Sequence, residues 1–242
     1  MARRTRLEDN RKQNNKKSDY RRKKDIKSKV LSVIIACEDE CSAPTYFKMI
    51  IQGLIKKKVI TQDSLVVAKH KHNTPKGVLE DLIKHKENGK SYKDFEHKWI
   101  VIDRDSPRVN GGGHSKDDFN GALSKAKTLK VEVAYANDSY ELWYLLHFHP
   151  RTSGIMRDEI LNQVISKLKE KNESVFKNLD KENIKTKEYT KLIYKELVDL
   201  QEDAIKNAEN LLSLYGETHN PETDNPSTTI HKLINVLNSL KN

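Results

Sequence analysis

From residue 30 to residue 149 the chain alternates short β-branched runs with amphipathic segments of helical length, and this alternation constrains its fold more than any other feature. Residues 30–37, 65–68, 99–102 and 131–135 read as strands. Residues 43–57, 74–87, 116–129 and 140–149 read as helices, the second opening on Thr74 as N-cap with Pro75 at the first helical position. Strand and helix in strict succession predict an α/β fold, a Rossmann-like parallel sheet flanked by helices. Beyond Pro150 the apolar residues keep only helical spacing, which predicts helices over 157–171, 187–215 and 227–240, joined by polar connectors at 172–185 and 216–225. Three regions result: a basic arm (1–29), an α/β domain (30–150) and a C-terminal helical region (151–242) packed on it.

Charge separates the arm from the rest. The net charge is +10 over 242 residues, yet residues 1–29 hold thirteen Lys and Arg against four acids and so carry +9 of it. Such an arm, with Arg21, Arg22, Lys23 and Lys24 at its densest part, attracts polyanions through phosphate neutralisation, and nucleic acid is the first candidate. A solvated tail that only aids solubility is the plainer alternative. No zinc-finger, helix-turn-helix or RNP pattern points to sequence-specific reading. No apolar stretch approaches the ~18 residues a membrane span needs, and the N-terminus lacks a secretory signal, which predicts a cytoplasmic protein with no membrane contact. Cys37 and Cys41 alone make neither a disulfide framework nor a zinc site.

The acids fall where such a sheet binds its ligands, beyond the carboxyl ends of strands. Glu38 follows the first strand, and Asp103 and Asp105 follow the third. Residues two apart in an extended segment point the same way, so both aspartates are expected to face one site. If the first and third strands are neighbours, Glu38 joins them, and three converging carboxylates raise one another's pKa unless a cation intervenes. Mg²⁺, with Mn²⁺ as a substitute, suits oxygen ligands of this kind. A solvent-exposed turn is the alternative for Asp-x-Asp taken alone.

Four stretches together resemble the RloB-like family, whose core is Toprim-like. They are Cys37-Glu38-Asp39-Glu40 with Pro44 and Tyr46-Phe47; Asp103-Arg104-Asp105; Asn137 with the helix Glu141-Leu142-Trp143-Tyr144-Leu145-Leu146-His147-Phe148; and Asn225-Pro226-Ser227-Thr228 with His231 and Leu233. The likeness runs from about Val30 to the end. Asp39, Ser42-Ala43 and Asp138 stand where Gly, Thr-Glu and Pro are usual. The resemblance implies a Toprim fold, a divalent metal on Glu38, Asp103 and Asp105, and a nuclease effector of anti-phage defence governed by an ATPase partner.

The expected chemistry is metal-assisted phosphodiester hydrolysis of DNA or RNA, tRNA included, with Glu38, Asp103, Asp105 and Glu141 as catalytic residues. Arg104, Lys69, Lys71 and His72, near the strand ends, are candidates to hold phosphate. Glu141 has a second reading, as the N3 partner of an Asp138 N-cap. Trp143 and Tyr144 read as core, His147 and His149 as structural, and Gly111–Gly113 as a flexible loop on the substrate side. Two other classes remain: a non-catalytic nucleic-acid-binding or sensor subunit, and a receiver domain, which fits poorly because no fifth strand is visible. An oligomer is possible on either of the first two readings.

Overall fold

The computed structural model describes residues 32–61, 63–109 and 111–240, so the basic arm lies outside the described residues. Strand β1 (Val33–Cys37) is buried along its whole length, as a central parallel strand covered on both faces must be. Strand β2 (Leu65–Val67) pairs with it in parallel on one side, Val33 opposite Leu65. A small antiparallel hairpin, β3 (Lys86–Glu87) and β4 (Lys90–Ser91), follows, and β5 (His97–Asp103) then takes the other side of β1, with Cys37 opposite Val101. Strand β6 (Glu132–Asn137) continues in parallel, and β7 (Ser227–Thr228) closes the edge antiparallel, Asn137 opposite Ser227. The order is β2-β1-β5-β6-β7. The four strands read from the sequence are all present, and β7 is the fifth that the reading missed: two residues are too few to show a period.

Strand alternation divides the interior into two apolar layers. Val33, Ile35 and Cys37 of β1, with Trp99 and Val101 of β5, face one layer. Ile34 and Ala36, with Ile100 and Ile102, face the other. The second layer is covered by α2 (Pro75–Lys84) and α3 (Lys116–Thr128), through Val78, Leu79, Leu82, Phe119, Ala122 and Ala126. The first is covered by α1 (Ser42–Lys56) and α4 (Glu141–Leu146), together with helices beyond Pro150. Each fully buried aliphatic or aromatic side chain contributes about 1.5–3 kcal/mol relative to exposure.

The C-terminal helices are α5 (Arg157–Lys171), α6 (Glu173–Phe176), α7 (Lys187–Leu197), α8 (Gln201–Ser213) and α9 (Ile230–Ser239). The long helix expected over 187–215 is broken by a 3₁₀ turn at Val198–Leu200, and the one expected from 227 starts at Ile230 because β7 takes the residues before it. The apolar stripe expected there is buried at Ile193, Leu197 and Leu211, while Leu214 is exposed. The described residues before and after Pro150 share one core: Ile160, Val164, Leu168 and Ile193 pack in the same layer as β1. No helix among the described residues is long and apolar enough to cross a membrane.

Candidate active site

The chain passes from β1 to β2 on one side and to β5 on the other, so the carboxyl ends of β1 and β5 flank a topological switch point. Glu38 leaves β1 there. Its Oε2 accepts the backbone N–H of Asp103 at 3.0 Å, which ties the end of β1 to the end of β5. The site opens as a cleft of about 450 Å³ whose walls include Glu38, Asp39, Asp103, Asp105, Arg108, His114, Arg157 and Lys185.

Asp103 and Asp105 do converge, although not by strand alternation alone. The strand ends at Asp103, and Asp105 sits at φ 36°, a left-handed conformation that aspartate tolerates better than most residues. One guanidinium joins the two: Arg157 Nη2 lies 3.1 Å from Asp103 Oδ2 and Nη1 lies 3.1 Å from Asp105 Oδ2. The second oxygen of Asp105 takes Arg108 at 2.9 Å. Arg157 is the first residue of α5, and its backbone N–H donates to Asp138 Oδ2 at 3.2 Å. Asp138 Oδ1 holds the backbone of Ser106 at 2.9 Å. Asp138 is therefore not the N-cap of α4, which begins at Glu141 after an uncapped Tyr140; it braces the two segments that carry Asp105 and Arg157.

Glu141, freed of any capping role, is 1% exposed and turns toward Lys185, whose Nζ lies 3.1 Å from its Oε1. Its Oε2 is buried with no hydrogen-bond donor among the described residues. Burial alone would raise the Glu141 pKa, but the charges of Lys185 and Arg157 overcome it and hold the carboxyl below its usual value. Asp103 goes the other way: burial, then the charges of Glu38 and Glu141, push it well above the carboxylate range despite Arg157. Glu38 is also raised, chiefly by burial, against the opposing hydrogen bond from His114. His114 Nε2 meets Glu38 Oε1 at 2.6 Å, and this contact outweighs the burial that would lower the imidazole, so its pKa is raised.

His114 reaches Glu38 because the glycine loop folds back, its N–H donating to Asp105 O at 2.7 Å. Gly113 sits at φ +83°, and a Cβ there would lie 2.6 Å from the carbonyl oxygens of Asp105 and Ser106, so only glycine fits. Asp39, also in the cleft wall, accepts the backbone N–H groups of Cys41 and Ala43 at 3.1 and 3.0 Å, and that of Ser42 as well, fixing the start of α1.

The remaining expected residues lie elsewhere. Arg104 is 2% exposed and points away from the cleft: its Nη2 pairs with Glu222 Oε1 at 2.8 Å, Nε bonds Glu222 O at 3.1 Å and Nη1 bonds His114 O at 3.0 Å. It is not a phosphate contact, because the alternation that sends Asp103 into the site sends its neighbour to the other face. Arg104→Ala is expected to cost about 3 kcal/mol by removing three buried hydrogen bonds and leaving Glu222 to its longer pairing with Lys116 at 3.5 Å. Chemical denaturation followed by circular dichroism measures this; a loss below about 1 kcal/mol would be that of a surface pair.

Lys71 and His72 are drawn to Asp81 of α2 instead of the cleft: both backbone N–H groups and the His72 Nδ1 meet that carboxylate, at 2.7, 3.0 and 2.6 Å. Lys69 lines a separate groove of about 500 Å³ beside β2, with Lys48, Lys86 and Lys187. Arg21, Arg22, Lys23 and Lys24 lie outside the described residues. Trp143 and Tyr144 are fully buried, and His147, buried beside them with Nδ1 2.8 Å from Trp143 O, is pushed down to about 4 by desolvation.

Among the described residues no group of three or more His, Cys, Asp and Glu is arranged as a ready-made metal cage. The donor set nevertheless fits a hard divalent cation that keeps much of its water: carboxylate oxygens, an Asp103 carboxyl raised by burial and then by its acidic neighbours, and a buried oxygen on Glu141 unpartnered among the described residues. Arg157, Lys185, Arg108 and His114 come from loops and helix starts far apart in sequence, and nothing in their local pattern marks them.

A family model described as RloB-like protein matches residues 33–237. No curated protein matches the chain. No solved structure matches it either.

Proposed function

The chain belongs to the RloB-like family, and from that premise we propose that its cleft hydrolyses phosphodiester bonds of nucleic acid with a divalent metal, as a Toprim-like effector of anti-phage defence controlled by an ATPase partner. The observation that carries this reading is the tie between Glu38 and the Asp103 backbone across the switch point, which brings Glu38 to Asp103 and Asp105 in one cleft. Carboxylates gathered against desolvation and mutual repulsion are a functional arrangement, since stability alone would disperse them.

Mg²⁺ or Mn²⁺ held by Asp103 and Asp105, with Glu141 behind them, would supply Lewis acidity toward a phosphate and lower the pKa of a bound water. The protein's own groups divide the remaining work. Glu38, with its raised pKa and two fixed hydrogen bonds, is placed to accept the proton of an attacking water. His114, whose pKa Glu38 raises, is placed to return a proton to the leaving oxygen. Arg108 and Lys185 on the cleft wall offset charge that builds on the phosphate. No serine, cysteine or tyrosine nucleophile is required.

The test is cleavage of plasmid, single-stranded DNA and total tRNA by purified protein, with Mg²⁺, Mn²⁺ or chelator, beside Glu38→Ala and Asp103→Ala. Metal-dependent cleavage that both variants lose by about 10²-fold or more is expected. Salt-sensitive binding without cleavage, unchanged when the ATPase partner is co-expressed, would replace this reading with that of a nucleic-acid-binding subunit.

A further inference from the structure

The two arginines that meet acids near the site are held very differently. Arg104 engages all three guanidinium nitrogens, at 2.8–3.1 Å, and its side chain is 3% exposed. Arg157 engages two, both at 3.1 Å, one on each of two different carboxylates. Its Nε is buried without a partner among the described residues, and its side chain is 21% exposed on the cleft wall. Charge-assisted N–H···O contacts are strongest near ~2.7–2.9 Å and where both prongs of the fork take one carboxylate. Both Arg157 contacts are longer than that, and its fork is split between two acids.

We propose that Arg157 is a displaceable counter-ion: it spans Asp103 and Asp105 when no divalent cation is bound to them, and it turns its guanidinium to the substrate phosphate when one is. This rests on the proposed reading of the cleft as a metal-dependent phosphodiesterase. The surroundings allow the exchange without moving the scaffold. Asp105 keeps its contact to Arg108 at 2.9 Å, and the Arg157 backbone stays pinned to Asp138 at 3.2 Å, so only the side chain has to swing. The charges favour it as well. Four carboxylates line the cleft (Glu38, Asp39, Asp103, Asp105) with Glu141 buried beside them, against Arg108, Arg157, Lys185 and a His114 shared with Glu38. Replacing one guanidinium charge on the aspartates with a divalent charge leaves that guanidinium beside an anion-seeking site, and its planar fork matches two phosphate oxygens.

Cation and guanidinium then compete for the same oxygens, and competition is reciprocal. Calorimetric titration of Mn²⁺ into the full chain, without nucleic acid, is expected to show about tenfold tighter binding by Arg157→Gln than by the parent protein. Arg157→Lys, which keeps the charge and loses the fork, is expected to fall between them. With Ca²⁺ in place of Mn²⁺, Arg157→Gln is expected to bind single-stranded DNA and RNA oligonucleotides about tenfold more weakly. A thermal melt establishes that each variant is folded. Equal or weaker Mn²⁺ binding by folded Arg157→Gln overturns the proposal and makes Arg157 a fixed brace; undiminished oligonucleotide binding overturns its contact with phosphate. Asp103→Asn separates the two levels of the reading. If the parent protein binds Mn²⁺ and Asp103→Asn does not, the metal site stands and Arg157 alone is judged; if the parent binds no Mn²⁺, the metal reading fails and this inference with it.

Discussion

Asp103→Asn is expected to abolish metal-dependent cleavage, by about 10³-fold or more, while making the protein more stable at neutral pH by about 1 kcal/mol. Both effects have one cause. Burial and the charges of Glu38 and Glu141 raise the Asp103 pKa well above its ordinary value, so the folded chain holds that proton more tightly than the unfolded chain does. An acid raised in this way costs nothing below its unfolded pKa and destabilises the fold progressively as pH climbs from there toward its folded value. The stability gain of the variant is therefore expected to be small near pH 4 and to grow toward neutrality, as read from denaturant midpoints at a series of pH values. Asparagine is chosen because its Oδ1 still accepts from Arg157, so the comparison isolates the charge. A variant that loses stability at every pH would mean that the Arg157 contact outweighs the repulsion and that Asp103 is held there as a structural ion-pair partner.

Lys185→Met is expected to destabilise the protein by about 3 kcal/mol, near the lower end of the cost of stranding a buried charge. Glu141 is 1% exposed while the Lys185 side chain is 38% exposed, so the cost lies in the abandoned carboxylate, and solvation of the lysine limits what the pair contributes. In the parent protein the Glu141 pKa is depressed, so its contribution to stability is present above its unfolded value and is lost as pH falls through the folded one. Without Lys185 the Arg157 charge is left to oppose burial and the depression shrinks, so the variant is penalised most near neutrality, and the gap to the parent protein closes on acidification. The double variant Lys185→Met/Glu141→Gln is expected to recover most of the loss, which a double-mutant cycle in urea measures. Additive losses would show that the two residues do not act as a pair.

Much of the architecture is legible along the chain because its signals are local. The runs that became β1, β2, β5 and β6 are β-branched and bounded by polar or acidic residues, and the Thr74 cap with Pro75 behind it appears as expected, Thr74 Oγ1 accepting from Gly77 N at 3.3 Å. The position of the acids follows from the same logic, since in a parallel sheet a residue just past a strand stands at the ligand-binding edge. Errors arise where a local pattern has two geometric outcomes. Asp138-x-x-Glu141 has the spacing of a capping box, yet Asp138 is drawn to the backbones of Ser106 and Arg157, and α4 begins two residues later than an Asp138 cap would require. Arg104, between two site aspartates, looks like a site cation, but alternation along an extended chain sends it to the opposite face, where Glu222 awaits it.

The sequence by itself determined the α/β class, the core strands and the placing of Glu38 and Asp103 at strand ends, because hydrophobic period and strand boundaries are written in consecutive residues. Only the tertiary structure decided which cations answer those acids. Arg157, Lys185 and His114 lie 54, 44 and 76 positions from Asp103, Glu141 and Glu38. Attraction between charges depends on distance in space and on the local dielectric, neither of which spacing along the chain records.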